Sequence, residues 1–192
     1  LCQNLRVRQY QKTFLVRKHK KQWNDYMMTS ENLKIIPNFL NYYGITDLVN
    51  QITDRSFPWH YAMSEGEPEQ YSHLLYYDHQ FSRSINPQLM GALQQIITDK
   101  LDAIATLRVK VNATPKNAPE QIWHQDWYIS TPNKTCVLYL NDNDGYTEFR
   151  DGTKVQSVKN TAVIFDSNTE HRGVPATNID RRLVLNINYF EK

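Results

Sequence analysis

The sequence predicts a mainly β domain, a sandwich or jelly roll, with helices in its N-terminal half. From Arg108 onward the chain consists of short runs that alternate between apolar and polar residues and are separated by turn residues. Before that point apolar residues recur twice at helical spacing. The chain is also rich in aromatic residues, with 12 tyrosines, seven phenylalanines and four tryptophans, and such side chains favour strands.

Strands and helices alternate in the first half. In chain order the predicted elements are a strand over 33–40, a helix through Ile45, Leu48, Val49 and Ile52, a strand over 71–77 and a helix over 87–107. Phe57-Pro58 ends the first helix. Asn86 can cap the second helix, and Pro87 suits its first turn. One face of this second helix is apolar and comprises Leu89, Leu93, Ile96, Ile97, Leu101 and Ile104.

The second half predicts eight short strands. They are 108–113, 121–128, 135–140, 146–150, 153–158, 161–165, 171–174 and 181–190. Asp144-Gly145 and Asp151-Gly152 predict hairpin turns of type I′, in which both central residues have positive φ. Eight strands without intervening helices indicate a sheet that closes on itself. We expect the helices to pack on one outer face of that sheet.

A basic segment precedes the predicted domain. Residues 1–24 hold seven of the 22 lysines and arginines and no acidic residue, which leaves 15 basic and 20 acidic residues in the remainder. We interpret 1–32 as an extension. A solvated tail is the simpler reading of it, and a contact with nucleic acid or an acidic partner is the alternative. Residues 33–192 then form one domain, with helical support over 33–107 and a β core over 108–191.

Composition indicates a protein without membrane spans or a disulfide framework. The two cysteines, Cys2 and Cys136, match neither a disulfide pattern nor a metal-ligand spacing, which favours a reducing compartment. No apolar run approaches the roughly 20 residues that span a bilayer. No signal-peptide pattern is visible. We therefore expect a cytoplasmic protein.

His124-Gln125-Asp126, followed 45 residues later by His171, is the pattern with the most chemical content. Alternate residues of a strand point to the same face, so His124 and Asp126 would both project inward from the predicted strand 121–128. His171 opens a later strand and can complete the set from the opposite sheet. Two imidazoles and one carboxylate hold non-haem Fe(II) on one face and leave positions open for substrate and oxygen.

An isolated His-x-Asp pair carries little information, because most histidines in proteins are structural. Here the second histidine follows a buried strand, and arginines follow it in turn, which raises the metal hypothesis above the structural one. His60, His73 and His79 lie before the strand-rich region and have no matching third ligand. We assign those three to core or surface roles.

The motifs around these residues resemble those of the Fe(II)/2-oxoglutarate-dependent oxygenases, in the branch around the prolyl hydroxylases. They are Trp-His-Gln-Asp, Cys-Val-Leu-Tyr-Leu-Asn, Gly-Tyr-Thr-Glu-Phe, Ala-Val-Ile-Phe-Asp-Ser, His-Arg-Gly and Arg-Arg-Leu-Val-Leu-Asn-Ile-Asn-Tyr-Phe. Small members from cyanobacterial phages are similar, and for such a protein the compartment would be the host cytoplasm. The resemblance implies a double-stranded β-helix with Fe(II) on His124, Asp126 and His171. It also implies 2-oxoglutarate and dioxygen as cosubstrates, with ascorbate as a candidate reductant.

The resemblance further implies a basic residue at the start of the last strand that binds the distal carboxylate of 2-oxoglutarate. Arg181 and Arg182 are the candidates. Alternation puts Arg181 on the apolar face of that strand and Arg182 on the polar face, with Val184, Asn186 and Asn188. We favour Arg182, whose planar fork matches a carboxylate.

Other cosubstrate contacts follow from the same resemblance. Tyr139 matches the position whose hydroxyl donates to that carboxylate, although core packing would also explain a tyrosine there. Asn112 or Thr114 falls where relatives place another contact. Trp123 and Trp127 flank the metal strand and either line the pocket or simply pack.

The implied activity is hydroxylation of an unactivated C–H bond, with release of succinate and carbon dioxide. A prolyl or other peptidyl side chain and a small molecule are the substrates that stay open, and the loop over 64–70 is a candidate lid. Three alternatives stay open as well. A nucleic-acid demethylase would carry a further arginine in the last strand beyond Arg182, a silent jelly-roll binding module would have lost a ligand, and a cupin-type Zn or Mn enzyme more often uses His-x-His.

Overall fold

A computed structural model describes residues 28–30, 33–62, 69–126 and 131–192. The strands in these ranges are β1 (Met28–Ser30), β2 (Leu33–Ile36), β3 (His60–Ala62), β4 (Gln70–Tyr77), β5 (Gln80–Phe81), β6 (Ala103–Pro115), β7 (Lys134–Tyr139), β8 (Tyr146–Phe149), β9 (Lys154–Gln156), β10 (Ala162–Asp166), β11 (His171–Val174) and β12 (Arg181–Glu191). The helices are α1 (Tyr42–Thr53) and α2 (Pro87–Gln95), and α2 continues into one π-helical turn, Ile96–Lys100.

The strands of the described ranges form two antiparallel sheets. The large sheet has the strand order β1-β2-β10-β7-β12-β6-β4-β3, with β5 also paired to β4, and the small sheet has the order β11-β8-β9. In the second half the chain passes back and forth between the sheets, with β6, β7, β10 and β12 in the large sheet and β8, β9 and β11 in the small one, as in a double-stranded β-helix. The predicted fold class is therefore confirmed.

Both faces of the large sheet are buried. Successive residues of each strand point to opposite faces, and apolar side chains occur on both. On the outer face, apolar residues of α1 and α2 pack against strands β6 and β12; the buried set includes Leu48, Ile52, Leu89, Leu93, Val109, Val111, Leu185 and Ile187. On the inner face, Val137, Phe165 and Val184 pack with Phe149 and Val155 of the small sheet. Each such side chain contributes about 1.5–3 kcal/mol when fully buried. The expected packing of the helices on one outer face is confirmed.

Both helices begin at an asparagine cap. The Asn41 side chain accepts a hydrogen bond from the Gly44 N–H at 2.7 Å, and the Asn86 side chain accepts one from the Leu89 N–H at 2.8 Å. These bonds satisfy amide groups that the first turn leaves without an intrahelical partner. The cap predicted for the second helix is thus present, and Pro87 follows it.

The prediction that the second helix runs to residue 107 is wrong. After the π-helical turn, Asp102 has a φ of +47°, and β6 begins at Ala103.

 The value of +47° at Asp102 lies in the left-handed region, which ends a right-handed helix. Residues 103–106 instead pair with the end of β12, with Ala105 opposite Phe190 and Thr106 opposite Tyr189. Pairing with a distant strand therefore overrides the local helical spacing, and Ile104, predicted for the apolar helix face, is 63% exposed.

The predicted strand 121–128 is wrong over the part that the structure describes. Residues 121–126 form a single isolated β-bridge, between His124 and His171. They do not form a continuous β-ladder. The Gly173 N–H donates to the Gln121 side-chain oxygen at 2.9 Å, so a side chain takes the place of a backbone acceptor. Strands β4 and β7 to β12 lie within two residues of their predicted bounds, whereas β2 ends early, at Ile36 before Pro37.

The predicted type I′ turns are also wrong. Gly152 has a φ of +86° in the hairpin between β8 and β9, but Asp151 does not have positive φ. Neither Asp144 nor Gly145 has positive φ. Glycine is needed at 145 for space, because a Cβ there would lie 2.7 Å from the Val174 carbonyl oxygen and 2.9 Å from Arg182 Cδ.

Several sequence predictions fall on residues outside the described ranges. They concern the basic segment 1–24, Cys2, Trp127 and most of the candidate lid, at residues 64–68. The division into an extension, helical support and β core stays a prediction, although β1, from the predicted extension, pairs with β2. Cys136 is free and buried. Within the described ranges, no helix has the length and apolar character needed to cross a bilayer.

Candidate metal centre

A cavity of about 220 Å³ lies on the inner face of the large sheet. Its walls come from alternate residues of β6 and β12, from β11 and from the irregular segment 121–126. Arg108, Lys110, Asn112 and Thr114 make the β6 wall. This polar alternation, in a strand whose other face is apolar, places hydrophilic groups inside the barrel.

His124, Asp126 and His171 meet at this cavity. One ligand atom from each residue lies within 4.8 Å of the others. The His171 Nε2 and Asp126 Oδ2 atoms are 3.8 Å apart, and the two imidazole centroids are 4.6 Å apart. Reciprocal backbone hydrogen bonds of 3.0 Å between His124 and His171 hold the irregular segment against β11. The two ligand-bearing stretches are therefore joined at the histidines themselves.

Hydrogen bonds set the tautomer of both imidazoles. His124 Nδ1 is 2.9 Å from the Ile122 carbonyl oxygen, and His171 Nδ1 is 2.9 Å from the Thr169 carbonyl oxygen. Because a carbonyl can only accept, each Nδ1 carries the hydrogen. A ring in this tautomer has its lone pair on Nε2, the arrangement in which metal-ligating histidines are held.

Burial and charge favour a neutral imidazole beside an ionised carboxylate. Burial lowers the pKa of His171, and the nearby Asp126 opposes that shift without cancelling it. Burial by itself would raise the pKa of Asp126, but His171, Arg108 and the hydrogen bond from Asn186 together hold it below its usual value. Neutral nitrogen and anionic oxygen donors are what a divalent metal requires.

Arg182 is a buried cation on the same cavity. Only 4% of it is exposed, and its Nε donates to Ser157 Oγ at 2.8 Å while Nη2 donates to Thr147 Oγ1 at 3.1 Å. Burial lowers the pKa of its guanidinium, yet arginine stays charged in proteins. Among the described residues, none of the ion pairs involves Arg182. A buried cation of this kind calls for an anion.

The other predicted cosubstrate residues differ in their relation to the cavity. Arg181 is exposed, and its guanidinium lies 5.3 Å from the Tyr71 ring centroid, outside the cavity lining. Tyr139 is fully buried, and its ring centroid lies 5.4 Å from the Arg182 guanidinium. The Tyr139 hydroxyl donates to Thr147 Oγ1 at 2.9 Å. Asn112 lines the cavity, and its buried Oδ1 has no hydrogen-bond partner in the described part of the chain.

The remaining aromatic and histidine candidates that the structure describes do not line this cavity. Trp123 packs between the guanidinium groups of Arg150 and Arg172, which lie 4.3 and 4.6 Å from its ring centroid. His73 is buried, stacks on His60 and lies 3.0 Å from Ser84 Oγ. Packing, rather than a pocket wall, is therefore what the structure shows for Trp123, and His73 has a core role as expected.

Sequence reasoning missed two residues that contact Asp126. Arg108 Nη2 donates to Asp126 Oδ1 at 3.3 Å, and Asn186 Nδ2 donates to Asp126 Oδ2 at 2.6 Å. Strand alternation places Asn186 on the polar face of the last strand but does not name its partner. The signal for Arg108 was available in the alternation of polar residues along β6, but it could not name Asp126 as the partner.

One protein family matches the part of the chain that carries these residues. Residues 110–190 match the family model of the 2OG-Fe(II) oxygenase superfamily, a segment that contains the three candidate ligands and Arg182. No curated protein matches the chain.

Solved structures show the same fold. A prolyl-4-hydroxylase from Pseudomonas putida is 18% identical, with a TM-score of 0.58, over 84% of this chain and 93% of that one. A prolyl hydroxylase from Trichoplax adhaerens, in complex with a hypoxia inducible factor peptide fragment, is 15% identical with a TM-score of 0.66 over 84% of each chain. The viral collagen prolyl hydroxylase of Paramecium Bursaria Chlorella virus-1 is 15% identical with a TM-score of 0.56 over 82% and 95%.

The family match defines the class of the domain: residues 110–190 carry the domain of an Fe(II)- and 2-oxoglutarate-dependent dioxygenase, and the fold agrees with it. Its cofactor is Fe(II) and its cosubstrates are 2-oxoglutarate and dioxygen. The resemblance to the Fe(II)/2-oxoglutarate-dependent oxygenases is confirmed by the family match, and prolyl hydroxylases are among the solved structures that share the fold.

Proposed function

We propose that the protein hydroxylates an unactivated C–H bond of a peptidyl side chain, with proline the first candidate. In this proposal His124, Asp126 and His171 bind Fe(II), and Arg182 binds the distal carboxylate of 2-oxoglutarate. One observation carries the proposal: a three-ligand cluster and a buried cation without a described carboxylate partner line the same cavity. A dicarboxylate has one acidic end for each of these two places.

The donor set fits Fe(II). Two Nε2 lone pairs and one carboxylate form a set on one side of the ion, which leaves the remaining positions for cosubstrate and dioxygen. When bound, iron and 2-oxoglutarate supply the oxidising chemistry: dioxygen and 2-oxoglutarate yield succinate and carbon dioxide, and one oxygen atom enters the substrate as a hydroxyl group.

The residues of the chain bind and orient. Ser157 and Thr147 fix the Arg182 guanidinium by hydrogen bonds, so its planar fork is held ready for a carboxylate. The Tyr139 ring lies next to the Arg182 guanidinium, and its hydroxyl donates to Thr147. Asn112 Oδ1 offers an acceptor inside the cavity. No side chain in this scheme has to act as a general base, because the substrate loses a hydrogen atom rather than a proton.

The choice of a peptidyl substrate is supported by what the structural neighbours are named for. Three of them are prolyl hydroxylases, and one is in complex with a peptide fragment. At identities of 15–18% they establish the fold, so the substrate class itself is the part of the proposal that needs a direct test.

The test measures cosubstrate binding and turnover separately. Under anaerobic conditions calorimetry should show 2-oxoglutarate binding only after Fe(II) has been added. In air, succinate release should rise above the uncoupled rate with proline-containing peptides, and mass spectrometry should show a gain of one oxygen atom in the peptide. Stimulation by free amino acids or methylated oligonucleotides, with none by peptides, would contradict the proposed substrate class.

A further inference from the structure

Asp126 needs an external support, because its backbone lies in the irregular segment rather than in a strand. Both carboxylate oxygens have a donor. Asn186 Nδ2 reaches Oδ2, the oxygen 3.8 Å from His171 Nε2, and Arg108 Nη2 reaches Oδ1. Oδ2 therefore faces the candidate metal position, and Oδ1 is turned toward Arg108.

Arg108 is itself fixed by a buried chain of hydrogen bonds. Its Nε donates to Asn188 Oδ1 at 2.9 Å, and Asn188 Nδ2 donates to Thr135 Oγ1 at 2.9 Å. Thr135 Oγ1 lies 2.8 Å from Ser167 Oγ. Asn188, Thr135 and Ser167 are at most 1% exposed. These hydrogen bonds run across β6, β12 and β7 and end at Ser167, four residues before His171.

This chain of hydrogen bonds connects the groups that hold two of the candidate metal ligands, Asp126 and His171. Ser167 opens the turn in which the Thr169 carbonyl accepts from His171 Nδ1. At the other end Arg108 holds Asp126, whose side chain is 8% exposed. Satisfied buried networks of this kind hold one geometry, because any displaced member leaves a buried polar group without a partner.

We propose that Arg108 is a positioning residue for the metal centre: it fixes Asp126 so that Oδ2 faces the metal. Its charge and its N–H groups both contribute, since a charge-assisted hydrogen bond is stronger than a neutral one. Residues that orient a metal ligand in this way typically change metal affinity about 10- to 100-fold when replaced. The inference rests on the proposed assignment of Asp126 as a ligand.

The experiment measures Co(II) binding to the full chain by its visible absorption, without turnover. Arg108→Gln should bind Co(II) about 10- to 100-fold more weakly and shift the absorption bands, because the carboxylate is no longer fixed. Arg108→Lys keeps a charge and N–H donors and should bind more tightly than Arg108→Gln. Equal weakness in the two variants would overturn the inference, since the loss would then come from packing of the long side chain.

Lys134→Gln is the matched control. It removes a cation from the same sheet that pairs with a carboxylate, Asp166, at 2.7 Å, outside the cavity lining. Its Co(II) affinity and spectrum should equal those of the wild type. If Arg108→Gln does not fold, Asn188→Ser tests the next link, and an unchanged Co(II) affinity and spectrum there would overturn the inference.

The outcomes separate this inference from the proposed function. If the wild type and His124→Ala bind Co(II) equally well, the metal centre itself is wrong. If His124→Ala loses Co(II) while Arg108→Gln retains wild-type affinity and spectrum, the metal centre stands and the role of Arg108 fails.

Discussion

Arg181 and Arg182 are neighbours in sequence with opposite surroundings. The side chain of Arg181 lies at the outer face over Tyr71, whereas Arg182 is buried beside Thr147 and Ser157. Strand alternation explains the difference, because adjacent residues of β12 point to opposite faces. The role of Arg182 toward the cosubstrate stays a prediction, and the two arginines form a natural pair of variants for it.

Replacing Arg182 with alanine should weaken 2-oxoglutarate binding. The loss of a buried charge pair costs about 2 kcal/mol or more, which corresponds to roughly a 30-fold rise in the 2-oxoglutarate concentration that half-saturates the enzyme. Metal affinity should be spared, whereas His124→Ala should lose the metal. Calorimetric titration measures both constants.

Arg181→Ala is the control for that variant. Because its side chain is exposed and lies outside the cavity, it should leave 2-oxoglutarate binding within about twofold of the wild type. A larger effect for Arg181→Ala than for Arg182→Ala would show that the alternation argument selects the wrong arginine.

At the scale of elements, the irregular segment 121–126 is the part that local sequence patterns describe least well. It carries two candidate ligands but makes only one bridge to β11. One more backbone hydrogen bond, from the Gln121 N–H to the Gly173 carbonyl oxygen at 3.1 Å, and several side chains complete its attachment. Trp123 inserts between Arg150 and Arg172, and Arg172 also pairs with Glu120 at 2.5 Å and with Glu148 at 2.6 Å.

Trp123→Ala should loosen this segment. Two cation–π contacts at about 0.5–1 kcal/mol each are lost, so we expect the free energy of unfolding to fall by about 1–2 kcal/mol. Amide exchange at His124 should become faster at the same time. Urea denaturation and hydrogen exchange measure the two effects. Ile122→Ala, at a 49% exposed neighbouring position, should change neither quantity appreciably.

Gly145→Ala should disturb the Arg182 site without touching the triad. The added Cβ would lie 2.9 Å from Arg182 Cδ and 2.7 Å from the Val174 carbonyl oxygen, so the guanidinium has to move. We expect 2-oxoglutarate affinity to fall while metal affinity is retained, as measured by titration of each ligand. Gly91→Ala in α2 meets nothing within 4 Å and should instead stabilise the protein by about 0.5–1 kcal/mol.

At the scale of the whole molecule, one sheet serves two purposes. Its outer face packs on α1 and α2 and supplies the apolar core, and its inner face carries polar residues into the cavity. Ligands that bind only the folded state stabilise it by mass action. The cavity should therefore link binding to global stability.

Adding Fe(II) and 2-oxoglutarate anaerobically should raise the unfolding temperature. At a hundred times the dissociation constant a ligand contributes about 2.7 kcal/mol, and each kcal/mol is worth roughly 2–4 °C in a domain of this size. A chelator should reverse the shift. His124→Ala should show no shift, and an equal shift in that variant would place the metal elsewhere.

Local periodicity predicted most of the elements for a physical reason. In β12 the apolar residues alternate, and in the two helices they recur at helical spacing, because one side of each element is buried. This pattern can be recognised from the sequence of each element alone. The same reasoning failed at 103–107, where pairing with β12 replaces the helix, and at 121–126, where side chains replace a ladder. In both places the deciding partner lies far away in the chain.

The sequence by itself determined the fold class, the faces of the helices and strands, and the identity of His124, Asp126 and His171 as a candidate ligand set. Only the tertiary structure decided that these three side chains converge, that Arg182 is buried beside them, and that Arg108 supports Asp126. The reason is one of range. A pattern along the chain records whether a residue is buried, but the partner that holds it comes from a segment tens of residues away and is selected by packing.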